Sequence, residues 1–353
     1  MTQGLANTLL HLVNIESVSG REEELTNWFL HEMAVAGWPA AERARDWALF
    51  RGPGSGKPVV LLAGHSDTVP AQGNLPGHLD GESVRGLGAS DMKAGLAVML
   101  ELARWLPAGQ RELAVEPWFL LFGQEEMALE ASLLPQVFAR CPVLREVRLV
   151  LMMEPTANAI QAGCLGNIIA RLEFEGVAAH SARPWLGRNA IHEAVRGLQP
   201  LAGAEIRDVS VGGLTFREVV SVTTIQGGVA NNVIPDRVTC GVNFRYAPDR
   251  TPPEAEQRLR ELAGADGRLT IVSNAPPAPV AIANPLLERL RAVGGMAVEP
   301  KQAWTPVAEF AQAGFEAVNY GPGDPALAHR RDERVAIPAL EESLAVLQRF
   351  VSA

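Results

Sequence analysis

Histidines and acidic residues follow four short apolar runs of this sequence. In chain order, these residues are His65 and Asp67; Glu125 and Glu126; Glu154; and His329 with Asp332 and Glu333. Ligands of open α/β sheets bind beyond the carboxyl ends of the strands, so we expect these side chains to share one crevice. Gathering that many acids without a cation would be costly, because like charges repel and lose their solvent. One or two divalent metal ions would remove that cost.

The types and spacing of these residues suggest which metal binds and which role each residue has. Imidazole and carboxylate without thiolate are typical of zinc, cobalt or manganese at catalytic sites. His65 and Asp67 are two residues apart, so both face one way in an extended segment, and Asp67 can accept the second ring N–H of His65. Glu125 and Glu126 are adjacent and would point apart, so one can bind metal while the other acts as a base. Asp91 precedes a predicted helix, where capping that helix is the alternative to binding metal.

The apolar runs themselves predict the elements that position these residues. The runs at 59–63, 118–122 and 149–153 are typical of strands buried on both faces. Between the first two, residues 92–106 have the apolar spacing of a helix. The alternation of strands and helices predicts a largely parallel sheet with helices on both faces, and therefore an α/β fold.

The pattern changes after residue 165. Two stretches, 168–175 and 238–246, alternate apolar and polar residues, as expected for a sheet with one solvated face. A helical stretch lies between them at 189–201, so we predict a separate inserted α+β domain. The predicted bounds are 1–165 with 277–353 for the interrupted catalytic domain and 166–276 for the insert.

Composition and charge exclude several classes of protein. The 353 residues suffice for roughly two domains. Forty acidic against 31 basic residues give a net charge of −9, which argues against binding nucleic acid. No apolar run approaches ~18 residues and the first residues lack a signal-peptide pattern, so we expect a cytoplasmic protein without a membrane partner. The three cysteines form no CxxC pair, which argues against disulfides and a thiolate zinc site.

The motifs at these positions resemble those of the M20 family of metallopeptidases and deacylases, over nearly the whole chain. The matching motifs are GHSDTVP at 64–70, GLGASDMKAG at 86–95, EE at 125–126, EP at 154–155, GGVANNVIP at 227–235 and AHRRDE at 328–333. Within the family, segments 179–192, 242–250 and 319–325 are similar to the succinyl-diaminopimelate desuccinylases of actinobacterial type. The resemblance implies a zinc-peptidase-like catalytic domain, interrupted by a ferredoxin-like lid domain that forms a homodimer.

Carried over position by position, the resemblance implies two zinc ions per subunit, with Co²⁺ or Mn²⁺ as substitutes. The implied ligands are His65 and Glu154 for one ion, Glu126 and His329 for the other, and Asp91 as the bridge. Glu125 would take a proton from the attacking water and pass it to the leaving amine. Asp67 would orient His65.

The inserted domain is implied to supply further groups. His180 would reach the active site of a partner subunit and stabilise the oxyanion. Asn232 and Arg245 would hold the backbone and the carboxylate of the substrate. Arg183 has two interpretations, a contact to an anionic substrate or a surface position. Thr305 is the remaining expected substrate-binding residue.

The implied reaction removes the acyl group of a small N-acylated amino acid, N-succinyl-LL-2,6-diaminopimelate of lysine biosynthesis. The desuccinylases commonly read WTDVxRF where residues 304–310 read WTPVAEF, so Pro306 replaces an acid and Glu309 replaces an arginine. Either position 309 is peripheral or the specificity differs. The alternatives are a deacetylase of N-acetyl-ornithine or N-acetyl-lysine, or a hydrolase that releases lysine or ornithine from a carrier protein. From another class, a metal-poor binding protein on the same scaffold would be expected to lack one of the ligands.

Overall fold

The computed structural model describes residues 2–108 and 112–353. The helices are α1 (Thr2–Asn14), α2 (Glu23–Val35), α3 (Lys93–Trp105), α4 (Leu134–Arg140), α5 (Ala190–Gly197), α6 (Gln199–Ala202), α7 (Pro252–Ala263), α8 (Pro285–Gly294), α9 (Val307–Gln312) and α10 (Ile337–Val351). The strands are β1 (Ala40–Arg43), β2 (Trp47–Phe50), β3 (Val59–His65), β4 (His78–Leu79), β5 (Ser83–Arg85), β6 (Glu116–Phe122), β7 (Val147–Met152), β8 (Ile160–Ala162), β9 (Gly166–Glu175), β10 (Ala179–His180), β11 (Arg207–Val211), β12 (Leu214–Gly227), β13 (Val233–Ile234), β14 (Arg237–Tyr246), β15 (Arg268–Ala275), β16 (Val298–Pro300), β17 (Ala317–Asn319) and β18 (Arg334–Ala336). Among the described helices, none combines the length and the hydropathy needed to span a bilayer.

The chain divides into two compact units. The first unit comprises the described residues of Met1–Ala162, Ala281–Glu299 and Glu309–Ala353, and the second comprises Gly163–Val280 and Pro300–Ala308. The predicted catalytic domain includes 300–308, whereas in the structure this segment packs with the second unit. Trp304 Nε1 donates to Pro276 O at 3.1 Å, and Gln302 Nε2 donates to Thr215 O at 3.1 Å. These side-chain bonds leave no local pattern in the sequence.

A mixed, mostly parallel sheet forms the centre of the first unit. Its strand order is β1-β2-β6-β3-β7-β17-β8-β16. The neighbours β6, β3, β7 and β17 run parallel, whereas β1 and β2 at one side and β8 at the other add antiparallel pairs. Both faces of β3 and β6 are buried along their whole length, as expected for strands covered on both sides. The predicted α/β class is therefore confirmed, and the antiparallel strands are an addition to it.

Two glycines let the N-terminal end of α3 approach this sheet. A Cβ on Gly64 would lie 2.7 Å from Met92 Cε, and one on Gly95 would lie 2.3 Å from Met153 O. The contact at Gly95 is with backbone, so glycine is required there, whereas at Gly64 the nearest atoms are ends of flexible side chains that would have to shift. As a result Asp91, just before α3, lies beside the carboxyl end of β3.

The second unit is an α+β domain, as predicted. Its antiparallel sheet has the order β11-β12-β14-β9-β15, and helices α5, α6 and α7 pack on it. Strand β14 alternates fully buried with half-buried positions, which confirms the one-sided burial that its sequence indicates. The buried side chains of this strand are Val238, Cys240, Val242, Phe244 and Tyr246.

Candidate metal centre

The imidazole of His65, the last residue of β3, lies among carboxylates. Its Nε2 is 3.3 Å from Asp91 Oδ1, 3.7 Å from Glu154 Oε1 and 3.9 Å from Glu125 Oε2. The side chain is buried. Burial disfavours the charged ring, but the interactions with Asp67 and Asp91 and the nearby negative charges outweigh it and raise the pKa of His65 well above 6.5. The histidine therefore sits where positive charge is strongly favoured.

Asp67 is fully buried and contacts both His65 and the turn that contains Glu125 and Glu126. Its Oδ1 lies 3.4 Å from His65 Nδ1, and the same ring nitrogen is hydrogen-bonded with the backbone O of Asp67 at 3.1 Å, so Asp67 contacts the imidazole through both groups. The same carboxylate accepts backbone N–H bonds from Glu125 at 3.1 Å and Glu126 at 3.0 Å, and the Ser19 hydroxyl at 2.7 Å. Burial raises the pKa of Asp67, yet its interactions with His65 and these bonds lower the net value. Asp67 thus also fixes the turn of the two glutamates, which the sequence does not predict.

Glu22 is a second buried residue that supports this turn, and sequence reasoning missed it. Its Oε1 accepts the N–H of Gln124 at 3.2 Å and that of Gly20 at 2.8 Å. Gln124 has a φ of 63°, in the left-handed region, and the turn after β6 depends on it. Burial raises the pKa of the Glu22 carboxyl. An acid just before a helix is ordinarily explained by the helix dipole alone, so the sequence carried no signal for this role.

Glu125 and Glu126 have different nearest histidines, although they lie in a turn and not in the strand geometry from which the sequence predicts that they point apart. Ligand atoms of the two glutamates lie within 4.8 Å of each other. Glu126 Oε1 lies 2.8 Å from His329 Nε2, whereas Glu125 faces His65. Burial among other carboxylates raises the pKa of Glu125 well above its ordinary value. The hydrogen bond with Glu126 raises the pKa of His329 to about 9.

Asp91 lies between the two histidines. Its Oδ1 is 3.3 Å from His65 Nε2, and its Oδ2 is 3.5 Å from His329 Nε2. Helix α3 begins at Lys93 with Met92 as its N-cap, so Asp91 lies one residue before the capping position. Each oxygen of this carboxylate is therefore directed towards a different histidine.

The donor set fits divalent metal ions. Three groups of side chains bring one ligand atom each within 4.8 Å of one another: His65, Asp91 and Glu154; Asp91, Glu126 and His329; and His65, Glu125 and Glu126. Ligands at 2.0–2.2 Å from a tetrahedral ion lie roughly 3.3–3.6 Å apart, and the contacts around Asp91 have this spacing. The first two groups share only Asp91.

The remaining candidate residues lie on the second unit. His180 and Asn232 are exposed and adjacent, because β10 pairs with β13 and Ser181 N donates to Asn232 O at 2.9 Å. Arg245 is half-buried on β14, and its Nε donates to Asn243 Oδ1 at 3.0 Å. Arg183 is exposed in the loop after β10, and Thr305 is buried. The structure thus brings the predicted metal ligands together in one unit and these five residues into the other.

Together, the fold and the cluster define a metal-dependent hydrolase with its ligands at the strand ends of an α/β sheet. Residues 165–269 match the family model described as peptidase dimerisation domain, and residues 49–161 match that of peptidase family M28. A Mycobacterium tuberculosis protein, provisionally named succinyl-diaminopimelate desuccinylase, is 40% identical over 83% of this chain and 82% of its own length. The succinyl-diaminopimelate desuccinylase of Corynebacterium glutamicum is 35% identical, covering 97% of this chain and 94% of that protein.

Solved structures give the same fold. An M20 family metallo-carboxypeptidase of Sulfolobus solfataricus has a TM-score of 0.79 at 18% identity and covers 98% of both chains. A dinuclear metal-binding M20 peptidase of Bacillus subtilis has a TM-score of 0.69 at 17% identity, over 99% of this chain and 97% of that one. This chain belongs to the M20 family of metallopeptidases and deacylases, and it is a metal-dependent amide hydrolase.

Proposed function

We propose that this protein hydrolyses N-succinyl-LL-2,6-diaminopimelate to succinate and LL-diaminopimelate, a step of lysine biosynthesis. Hydrolysis is supported by one observation. Two groups of potential metal ligands share Asp91, and Glu125 lies next to them. The succinyl substrate is supported by two relatives named succinyl-diaminopimelate desuccinylase, whose similarity covers 83% and 97% of this chain.

The proposed metal centre holds two Zn²⁺ ions, and Co²⁺ or Mn²⁺ suit the same donors. When bound, such ions polarise the amide carbonyl and lower the pKa of water. The proposed ligands are His65 and Glu154 for one ion, Glu126 and His329 for the other, and Asp91 for both. Asp67 keeps the first histidine and the glutamate turn in place.

Glu125 is the proposed general acid and base. Its backbone N–H is held by Asp67, and its carboxylate remains beside the ligand cluster, 3.9 Å from His65 Nε2. In this role the carboxylate takes a proton from the attacking water and delivers it to the leaving amine, so both proton transfers use one group.

The second unit is proposed to form a homodimer and to supply His180 to the site of a partner subunit. The match of residues 165–269 to a peptidase dimerisation domain supports the dimer. His180 Nδ1 accepts the N–H of Ala182 at 3.1 Å, so the neutral ring carries its proton on Nε2. That proton can be donated to a developing oxyanion.

The substrate contacts are proposed for four residues, namely Asn232, Arg245, Arg183 and Thr305. Asn232 lies beside His180, which suits a contact near the reacting carbonyl. The bond from Arg245 Nε to Asn243 orients the guanidinium, and such a fixed fork can bind a carboxylate with two parallel bonds.

A second candidate, deacetylation of N-acetyl-ornithine or N-acetyl-lysine, is favoured by Glu309. This carboxyl stands where the desuccinylase pattern has arginine, and burial raises its pKa to about 7, against a smaller opposing effect of the bond from Ser132. An acetylornithine deacetylase of Myxococcus xanthus is 28% identical over 99% of this chain and 97% of its own length. Release of lysine or ornithine from a carrier protein is a further version of this candidate. A metal-poor binding protein is disfavoured, because the ligand cluster is complete.

A substrate panel tests the proposal. The zinc-loaded protein is assayed with N-succinyl-LL-diaminopimelate, N-acetyl-ornithine and N-acetyl-lysine, and we expect kcat/KM above ~10⁴ M⁻¹s⁻¹ for the succinyl substrate alone. Turnover of an acetyl substrate instead would keep the hydrolase and overturn the succinyl specificity. No turnover of any of the three by a zinc-loaded, folded protein would overturn both candidates.

A further inference from the structure

The carboxyl group of Glu333 forms hydrogen bonds with the backbone of the loop that contains Asp91. Its Oε2 accepts the N–H of Gly88 at 2.9 Å, and its Oε1 accepts those of Ser90 and Asp91, each at 2.9 Å. The side chain is 2% exposed. All three N–H bonds converge on one carboxyl group that water does not reach, so they meet no competition from solvent.

The main chain of Glu333 holds the same loop from its other end. Gly86 N donates to Glu333 O at 3.1 Å, next to the antiparallel pair Arg85 and Arg334 of β5 and β18. The loop from 86 to 91 is therefore fixed at its start by a strand ladder and at its end by a side chain. Its last residue, Asp91, has little freedom to move.

The same short segment also supplies His329. This histidine lies four residues before Glu333, and its Nε2 is 3.5 Å from Asp91 Oδ2. Side chain and backbone of Asp91 are thus both tied to one stretch of six residues, 328–333, which is remote from Asp91 in sequence. These contacts form a closed ring: Asp91 contacts His329, the chain continues from His329 to Glu333, and Glu333 contacts the backbone of Asp91.

We propose that Glu333 is a positioning residue of the metal centre. It sets the separation of Asp91 and His329, and thereby the affinity for the ion that these two ligands share with Glu126. The inference rests on the ligand assignment proposed above, since it assumes that Asp91 and His329 bind metal. Glu333 itself contacts the backbone of Asp91 and is not a ligand.

The test is the zinc affinity of Glu333→Gln, which changes one oxygen to an NH₂ group and keeps the size. Because both oxygens accept N–H bonds, at least one loop donor then faces another donor. Changes in residues that support metal ligands typically cost 10–100-fold in affinity. We expect a loss of this size for at least the ion held by Glu126 and His329, measured by competition with a chromophoric chelator, and an altered visible spectrum of the Co²⁺-loaded protein.

Glu116→Gln is the matched control. Glu116 is also a buried carboxylate that binds a loop, through the N–H groups of Gly54 and Ser55, but it lies at the opposite end of β6 from Glu125. We expect its unfolding temperature to fall while both zinc affinities stay unchanged. Equal affinity losses in the two variants would overturn the proposal, because a general loss of stability would then explain both.

Zinc affinities of Glu333→Gln equal to those of the unmodified protein would also overturn the proposal. If the Gln variant does not fold, Glu333→Asp is measured, which keeps both oxygens on a shorter stem. An intermediate affinity loss supports positioning, and wild-type affinity contradicts it. A wild-type protein that binds no zinc would overturn the ligand assignment itself, and this result is distinct from the others. None of these measurements uses a substrate, so they stand apart from the question of succinyl or acetyl specificity.

Discussion

The candidate metal centre and the candidate substrate residues differ in how the fold holds them. In the first unit, the side chains of His65 and Asp67 are fully buried, and the backbone around the cluster is tied down by Asp67, Glu22 and Glu333. In the second unit, His180 and Asn232 are exposed on a two-stranded ribbon. The first unit therefore fixes its ligand cluster in advance, whereas the exposed pair of the second unit would make its contacts to a substrate or a partner subunit under the proposed function.

Loss of the proposed base is expected to have the largest effect. Glu125→Gln keeps the turn bonds to Asp67, since these use the backbone, and it removes the proton carrier. Turnover should fall at least ~100-fold while zinc content stays normal. Steady-state kinetics and metal analysis check both parts, with the exposed Glu130→Gln as the control. Near-normal turnover would exclude Glu125 as the base.

His180→Gln tests whether the second unit takes part in catalysis at all. We expect turnover to fall by about 10²-fold with unchanged folding and zinc content, because one donor to the oxyanion is lost. His192→Gln, an exposed histidine of α5 in the same unit, is the control and should be silent. Full activity of the His180 variant, or of a strictly monomeric protein in sedimentation, would contradict the role given to this residue.

Asp67→Asn tests whether the metal centre of the first unit depends on the contacts that Asp67 makes. The amide keeps the shape but loses the charge beside His65 Nδ1 and one acceptor for the N–H groups of the glutamate turn. Zinc affinity should fall about 10–100-fold. Asp80→Asn is the control, since Asp80 also accepts backbone N–H bonds, from Glu82 and Ser83, away from the cluster. An unchanged zinc affinity would mean that the cluster does not depend on this support.

Glu309→Arg is expected to give the smallest change. It restores the charge of the desuccinylase pattern, so the ratio of kcat/KM for succinyl over acetyl substrates should rise about tenfold, which corresponds to about 1.4 kcal/mol. Glu309→Gln removes the ionisable carboxyl, which a pKa of about 7 leaves only partly charged near neutral pH, and should give a smaller rise. A constant ratio in both variants would show that position 309 is peripheral to specificity.

The convergence of the histidines and glutamates could be predicted because it follows from local patterns, whereas a metal role for Asp91 was implied only by the family resemblance. Apolar runs define the strands, polar residues follow each run, and the parallel strand ends of an α/β sheet meet on one edge. The supporting residues could not be found in this way. Glu333 and Glu22 act through backbone N–H groups far away in the sequence, and a hydrogen bond of that kind leaves no periodicity.

Two elements, β12 and α7, were not predicted from the sequence, and the structure explains why. Strand β12 is largely exposed over its second half and has an irregular register between Val222 and Thr224, so the alternation that marks a strand is lost. Helix α7 buries Ala255, Leu259 and Ala263, a narrow stripe of mostly small side chains within a strongly charged segment. Its capping box of Thr251 and Glu254, with proline at the first helical position, was the signal that could have revealed it.

Anomalous diffraction at the zinc edge, from crystals of the zinc-loaded protein, tests directly whether the cluster around Asp91 binds two metal ions. We expect two peaks about 3.5–4 Å apart, both beside Asp91, one next to His65 and Glu154 and the other next to Glu126 and His329. No peak in the cluster of a protein that has been supplied with zinc, or peaks that Asp91 does not touch, would contradict this expectation.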